Sequence, residues 1–195
     1  MSEPAGLQPP PIRTVAIIGA GVAGRSFALA CAAAGFYVVL EDVMPANLRR
    51  AEEDYAYASR RGAFGAMELA STVEDAVREA DISIDFVPDE LESKLEIFSM
   101  IDRMAPPKTI LCTPSYALSI TDLASCVYRP DRCVAVRGNL IRGDAAAPPV
   151  VRLLYPAAAA ESTLTAVDRF LQALGVEVRR ETDPEVPLLM KNALM

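Results

Sequence analysis

Val15-Ala16-Ile17-Ile18-Gly19-Ala20-Gly21-Val22-Ala23-Gly24 decides how this chain reads. Four apolar residues, Val15 to Ile18, have the character of a short buried strand. Three glycines at G-x-G-x-x-G spacing follow at once. An Ala-rich run from Val22 to Ala34 then reads as a helix, with Gly35 as its stop. In such a strand–loop–helix unit each glycine has its own task. Gly19 allows the tight turn, Gly21 leaves backbone bare for a pyrophosphate, and Gly24 lets helix and strand pack closely. The helix start at Val22 and Ala23 offers free N–H groups and the positive end of a dipole to phosphates. An acidic residue is expected about 20 residues further on, where it accepts from the hydroxyls of an adenosine ribose. Phe36 to Leu40 is a second buried strand, and Glu41 and Asp42 end it. Asp42 stands 18 residues past Gly24. Val43 and Met44 come next, with no arginine for a 2′-phosphate, which favours NAD over NADP. The competing reading is a glycine turn that only packs.

Outward from this unit, strands and helices alternate. A polar helix is expected from Pro45 to Arg61, a short strand at Met67–Ala70 and a helix from Val73 to Ala80. Ile82 to Val87 reads as a strand stopped by Pro88. Leu91, Leu95, Phe98 and Ile101 recur at helical spacing within Glu90–Met104. Thr109–Cys112 is a strand, and Ser119 or Thr121 caps a short helix before Cys126. Strands at Cys133–Val136 and Val150–Tyr155 follow. A helix from Glu161 to Leu174 closes at Gly175, before a last strand at Val176–Arg179. The alternation predicts an α/β fold, a Rossmann-type doubly wound and mostly parallel sheet, over residues 13–183. A flexible Pro-rich arm (1–12) precedes it, and an apolar tail or helix (184–195) follows.

Composition narrows the chemistry. The chain has 195 residues, 52% of them apolar, enough for a core. Its 19 basic and 26 acidic residues give a net charge of −7, which argues against nucleic acid and anionic membranes as partners. The longest apolar stretch, Ser26 to Leu40, is too short to cross a bilayer and contains the turn at Gly35. The N-terminal Met1-Ser2-Glu3-Pro4 is no secretory signal, so a cytoplasmic protein is expected. Cys31, Cys112, Cys126 and Cys133 have no paired or metal-binding spacing and read as reduced thiols. Above all, the chain has no histidine. That excludes a Ser-His-Asp triad, a Cys-His dyad, a His-ligated metal and any imidazole acid or base. No metal is expected.

With these residues in view, the chain resembles the NAD-binding domain of the 3-hydroxyacyl-CoA dehydrogenase family. The resemblance rests on Val15–Gly24, on Gly35–Asp42 and on the run Ala80 to Lys94, which is similar to the family's Val-Pro-Glu-Asp-Leu-x-x-Lys. It continues through Ala105-Pro106-Pro107, Leu118–Leu123, Arg129-Pro130 and Leu174-Gly175, and covers about residues 13–183. It implies NAD as cofactor, held by Gly19, Gly21, Val22, Ala23, Gly24 and Asp42. It puts Val87 and Asp89 near the nicotinamide ribose, with Lys94 close to the cofactor.

The family's catalytic groups do not carry over. Its Asn-Thr-Ser-Ser-Leu-Ser-Ile stretch reads here as Pro114 to Ile120, with Tyr116 and Ala117 in place of the two serines. Its catalytic histidine position falls on Arg137. The strand that holds its orienting glutamate reads Val150-Val151-Arg152. Tyr116 and Arg137 are therefore the candidate catalytic residues, the phenol as acid or base and the guanidinium, always protonated, as an orienting charge. Arg129, Arg132, Arg137, Arg142 and Arg152 together suggest an anionic ligand, such as a carboxylate, a phosphate or an acyl-thioester's CoA moiety. Cys112 and Cys126 are further nucleophile candidates without an evident base. The family continues into a helical second domain, and the apolar tail here suggests a homodimer. Two functions follow as expectations: an NAD(H)-dependent oxidoreductase of altered catalytic residues, or a catalytically silent nucleotide-binding protein with a regulatory or assembly role.

Overall fold

A computed structural model describes residues 11–62, 65–141 and 147–183. The Pro-rich arm, apart from Pro11 and Ile12, lies outside these residues, as do Arg142 and the apolar tail. Among the described residues eight strands form one sheet: β1 (Thr14–Ile18), β2 (Tyr37–Glu41), β3 (Met67–Ala70), β4 (Ile82–Asp85), β5 (Ile110–Thr113), β6 (Cys133–Arg137), β7 (Val150–Tyr155) and β8 (Glu177–Thr182). The helices are α1 (Val22–Ala33), α2 (Pro45–Ser59), α3 (Val73–Val77), α4 (Leu91–Met104), α5 (Ile120–Ala124) and α6 (Glu161–Ala173). The expected Rossmann-type doubly wound sheet is what the chain forms.

The strand order is β3-β2-β1-β4-β5-β6-β7-β8. All neighbours are parallel except β6 and β7. Their exception has a local cause: no helix intervenes between Arg137 and Val150 among the described residues, and a parallel return needs a crossover. The chain runs outward from β1 to β3, then crosses back to lay β4 beside β1. That reversal opens a crevice at the carboxyl ends of β1 and β4, where open α/β sheets bind ligands.

Strands buried on both faces explain the unbroken apolar runs of the sequence. One core layer joins Val15, Ile17, Leu40 and Ile84 of the sheet to Phe27 of α1 and Phe170 of α6. The other joins Ala16, Ile18 and Val39 to Val73 of α3 and Phe98 and Ile101 of α4. Several elements end one to three residues from expectation, among them the strand at Ile82, which stops at Asp85, and the polar helix, which stops at Ser59. The helix at Val73 stops at Val77, and of the two expected caps Ser119 is the one used: its hydroxyl accepts from the Thr121 and Asp122 amides at the start of α5. The last strand extends to Thr182, because it pairs along the whole of β7. Its charged sequence hides this, as suits an exposed edge.

Candidate functional site

The glycine loop is built by sterics. Gly19 has φ +99°, a conformation that side-chain-bearing residues avoid. A Cβ on Gly24 would lie 1.9 Å from the Gly19 carbonyl oxygen, so only glycine lets α1 approach β1 this closely. A Cβ on Gly21 would meet nothing within 4 Å. Its surface is open on the side where a phosphate would lie. Val22 and Ala23 begin α1 beside it, both exposed.

Next to this loop lies a groove of about 510 Å³, lined by Ile18, Gly19, Gly21, Glu41, Asp42, Val43, Asn47, Val73, Phe86, Val87, Pro88, Glu96, Ile97 and Met100. Asp42 ties the groove to the loop. Its Oδ2 accepts from the Ala20 N–H at 2.8 Å and from Asn47 Nδ2 at 3.0 Å, and its Oδ1 from the Met44 N–H at 2.7 Å. The carboxylate is oriented at the groove's edge by these three donors and keeps lone pairs able to accept further bonds. Glu41 is the residue the sequence reading passed over. It is 3% exposed and also lines the groove. Burial first, and the Asp42 charge second, push its carboxyl up to about 7, against the opposing pull of the Gly19 amide. The available signal was an acid at the end of a strand that is otherwise apolar.

These features test the fit of a dinucleotide. The bare Gly21, the open helix start, the oriented Asp42 and the apolar walls suit an adenosine diphosphate moiety. Val87 reaches the same groove. Lys94 does not: its ammonium is buried and bound to Asp85 Oδ1. Burial pushes the Asp85 carboxyl up, with Lys94 opposing it.

The ends of β4, β5 and β6 form a second region. The Asp89 carboxylate accepts from the Ser115 hydroxyl and from the N–H groups of Tyr116 at 3.0 Å and Ala117 at 3.1 Å. Burial would raise its pKa, but these donors outweigh burial and hold the carboxyl below its ordinary value. Arg137 Nε donates to the Ser115 carbonyl at 2.9 Å and Nη2 to the Leu118 carbonyl at 2.8 Å. The Tyr116 side chain is 63% exposed. Arg137 and Tyr116 thus meet at one loop, the guanidinium bound to its carbonyls and the phenol largely exposed; neither lines the groove.

The other arginines disperse. Arg152 pairs in register with Arg137 across β6 and β7, and its guanidinium reaches Glu181 at 3.4 Å. Arg129 binds Asp102 at 2.7 Å, and Arg132 donates to the Lys108 carbonyl at 2.9 Å, both before β6 begins. Cys112 is buried, which pushes its thiol up and away from nucleophilic use, whereas Cys126 is exposed. No group of acids or cysteines suited to a metal ion occurs among the described residues.

A glycine-rich loop, an acidic residue at the end of β2 and a crevice at the strand reversal define a dinucleotide-binding Rossmann domain. The family model described as "3-hydroxyacyl-CoA dehydrogenase, NAD binding domain" matches residues 14–175, and the chain belongs to that family, whose cofactor is NAD. It is 32% identical over 138 residues to the probable 3-hydroxybutyryl-CoA dehydrogenase of Bacillus subtilis, covering 64% of this chain and 48% of that protein. It is 28% identical over 199 residues to the L-carnitine dehydrogenase of Streptomyces coelicolor, covering 95% and 60%. Among solved structures, a 3-hydroxyacyl-CoA dehydrogenase from Archaeoglobus fulgidus superposes with a TM-score of 0.73 at 26% identity, covering 93% of this chain and 61% of that one. The chain spans about half the length of the curated relatives it matches first, 48% and 52%.

Proposed function

We propose that this chain is the NAD(H)-binding part of an oxidoreductase acting on an acyl-thioester or a small carbonyl or hydroxy compound, with catalytic groups other than an imidazole. The groove that joins Gly21, Asp42 and Val87 at the strand reversal carries this reading. The names of the relatives, dehydrogenases of 3-hydroxyacyl-CoA thioesters and of carnitine, supply the substrate class. Bound NAD supplies the hydride acceptor. In the chain itself, Gly19 to Ala23 hold the pyrophosphate and Asp42 the adenosine ribose. Tyr116 is the side chain available to move a proton, and Arg137 orients the loop that carries it.

A second reading, a catalytically silent nucleotide-binding protein with a regulatory or assembly role, is favoured by one observation. Arg137 donates to two loop carbonyls, a packing task rather than a substrate contact. The four free cysteines support a reducing compartment such as the cytoplasm under either reading. Self-association through the apolar tail belongs to both readings and is checked by sedimentation.

Calorimetric titration with NADH tests the cofactor half, with binding expected in the micromolar to sub-millimolar range. No binding, with Gly21→Asp changing nothing, overturns the proposal. Nicotinamide absorbance with acetoacetyl-CoA and a panel of oxo-acids then separates the readings. Turnover that Tyr116→Phe abolishes supports the oxidoreductase; flat traces at high enzyme concentration support the silent protein.

A further inference from the structure

We propose that Glu41 contacts the cofactor's adenosine half and that the dinucleotide binds with the Glu41 carboxyl protonated, so that binding takes up a proton. The proposal rests on NAD occupying the groove.

Placement is the first argument. Glu41 is the last residue of β2, and strand alternation sends its side chain to the same face as Val39, toward α3 and α4. There it joins Val73, Ile97 and Met100 in the groove wall and is 3% exposed. A carboxyl at this depth is a group that a bound adenosine must cover.

Charge is the second argument. In the groove lining the charged groups beside Glu41 are Asp42, the residue that follows it, and Glu96 on α4, with the neutral Asn47 on α2; its strand partners Ile18 and Ala70 carry no charge. Val73 is the facing residue of α3, and the glycine loop contributes only backbone. Among the described residues, the groove lining contains three carboxyls and no lysine or arginine. Nothing in the lining compensates a charged Glu41 except the Gly19 amide. An incoming dinucleotide removes the remaining water and brings its own negative pyrophosphate to Gly19–Gly21. Both effects favour the neutral acid. The unliganded carboxyl already titrates at about 7, so the coupling falls within an accessible range.

The sign follows from linkage. A group whose pKa rises on binding leaves affinity unchanged below its free-site value. Above that value affinity falls by up to about tenfold per pH unit, until the bound-state value is reached. The chain has no histidine, which keeps the usual competing group out of the neutral range.

The test is calorimetry of NADH binding at about pH 6, 7 and 8, each in two buffers of different protonation enthalpy. The expected result is affinity that weakens up to about tenfold from pH 6 to 8, with net proton uptake on binding. In Glu41→Gln, a neutral mimic of the acid, affinity stays near the wild-type acidic value and proton uptake disappears. Affinity that is flat or rises with pH overturns the proposal, as does proton uptake that persists in Glu41→Gln. If the variant does not fold, proton uptake by the wild type decides alone. NADH binding that ignores pH removes only this proposal; no NADH binding at any pH removes the cofactor reading as well.

Discussion

The groove beside β1, β2 and β4 and the loop beyond β5 and β6 use polar residues in opposite ways. At the groove, backbone is kept bare and side chains converge on open space: Gly21 has nothing near it, and Asp42 is braced at the rim. At the loop, the same kinds of groups consume one another. Asp89 is taken by Ser115, Tyr116 and Ala117, Arg137 by Ser115 and Leu118, and Asp183 by Ser119 and Thr121. The first region leaves backbone and carboxyls facing open space, and the second closes its polar groups on one another. Substitutions in the groove should therefore change binding, and substitutions in the loop should change stability.

The largest effect is expected in the glycine loop. Gly24→Ala forces a Cβ onto the Gly19 carbonyl, so both properties should fail together, with a stability loss of about 1–3 kcal/mol and weak NADH binding. Gly21→Asp has room for its side chain, so the melting midpoint should stay near wild type. Its charge stands where phosphates would lie, and NADH affinity should drop about a hundredfold or more. A Gly21→Asp chain that unfolds would break the contrast between the two regions.

Arg137→Ala comes next. Two carbonyls lose their charged donor, and chemical denaturation should show a loss of about 1–3 kcal/mol. NADH affinity should change less than threefold, roughly the scatter expected for a residue outside the groove. Faster amide exchange at Tyr116–Leu118 would place the loss in the loop. A large drop in NADH affinity with stability intact would make Arg137 part of the ligand site instead.

Asp89→Asn is expected to act through pH. The folded carboxyl titrates below its ordinary value, so it contributes stability above about pH 4, and that contribution is lost as pH falls through the lower folded value. Acid unfolding should be shallower in the variant than in wild type below about pH 4. An unchanged acid limb would show that the Asp89 bonds contribute nothing.

Tyr116→Phe should be the mildest for stability, within about 0.5 kcal/mol, because the ring is largely exposed. A larger loss would mean that the phenol is bound within the loop, and would sharpen the division by adding Tyr116 to the structural side.

Most elements were legible in the sequence because their signals are local. A buried parallel strand is an apolar run, and a helix shows its period within a few turns. Even the shorter α3 and longer β8 differ only at their ends. The glycine loop and the acid after β2 were legible for a similar reason, since Gly19, Gly21, Gly24 and Asp42 lie within a single β-α-β unit. Glu41 was harder to recognise. In sequence it is only the neighbour of the expected acid, and its burial in the groove wall depends on α3 and α4 packing over the face it occupies.

The sequence alone determined which segments are strands and helices, the glycine loop and the absence of any imidazole, since each follows from residue type and short-range spacing; the strand order and the antiparallel β6–β7 pair came from the tertiary structure. What the tertiary structure decided was the employment of the polar residues. Asp89 meets Ser115 across 26 positions and Arg137 meets Ser115 across 22. Lys94, expected at the cofactor, turns inward to Asp85. A charged side chain can serve a ligand or a neighbouring loop, and only the distances set by the folded backbone choose between them. At this chain's groove those distances leave backbone and carboxyls facing open space, whereas at its loop they close the hydrogen bonds internally.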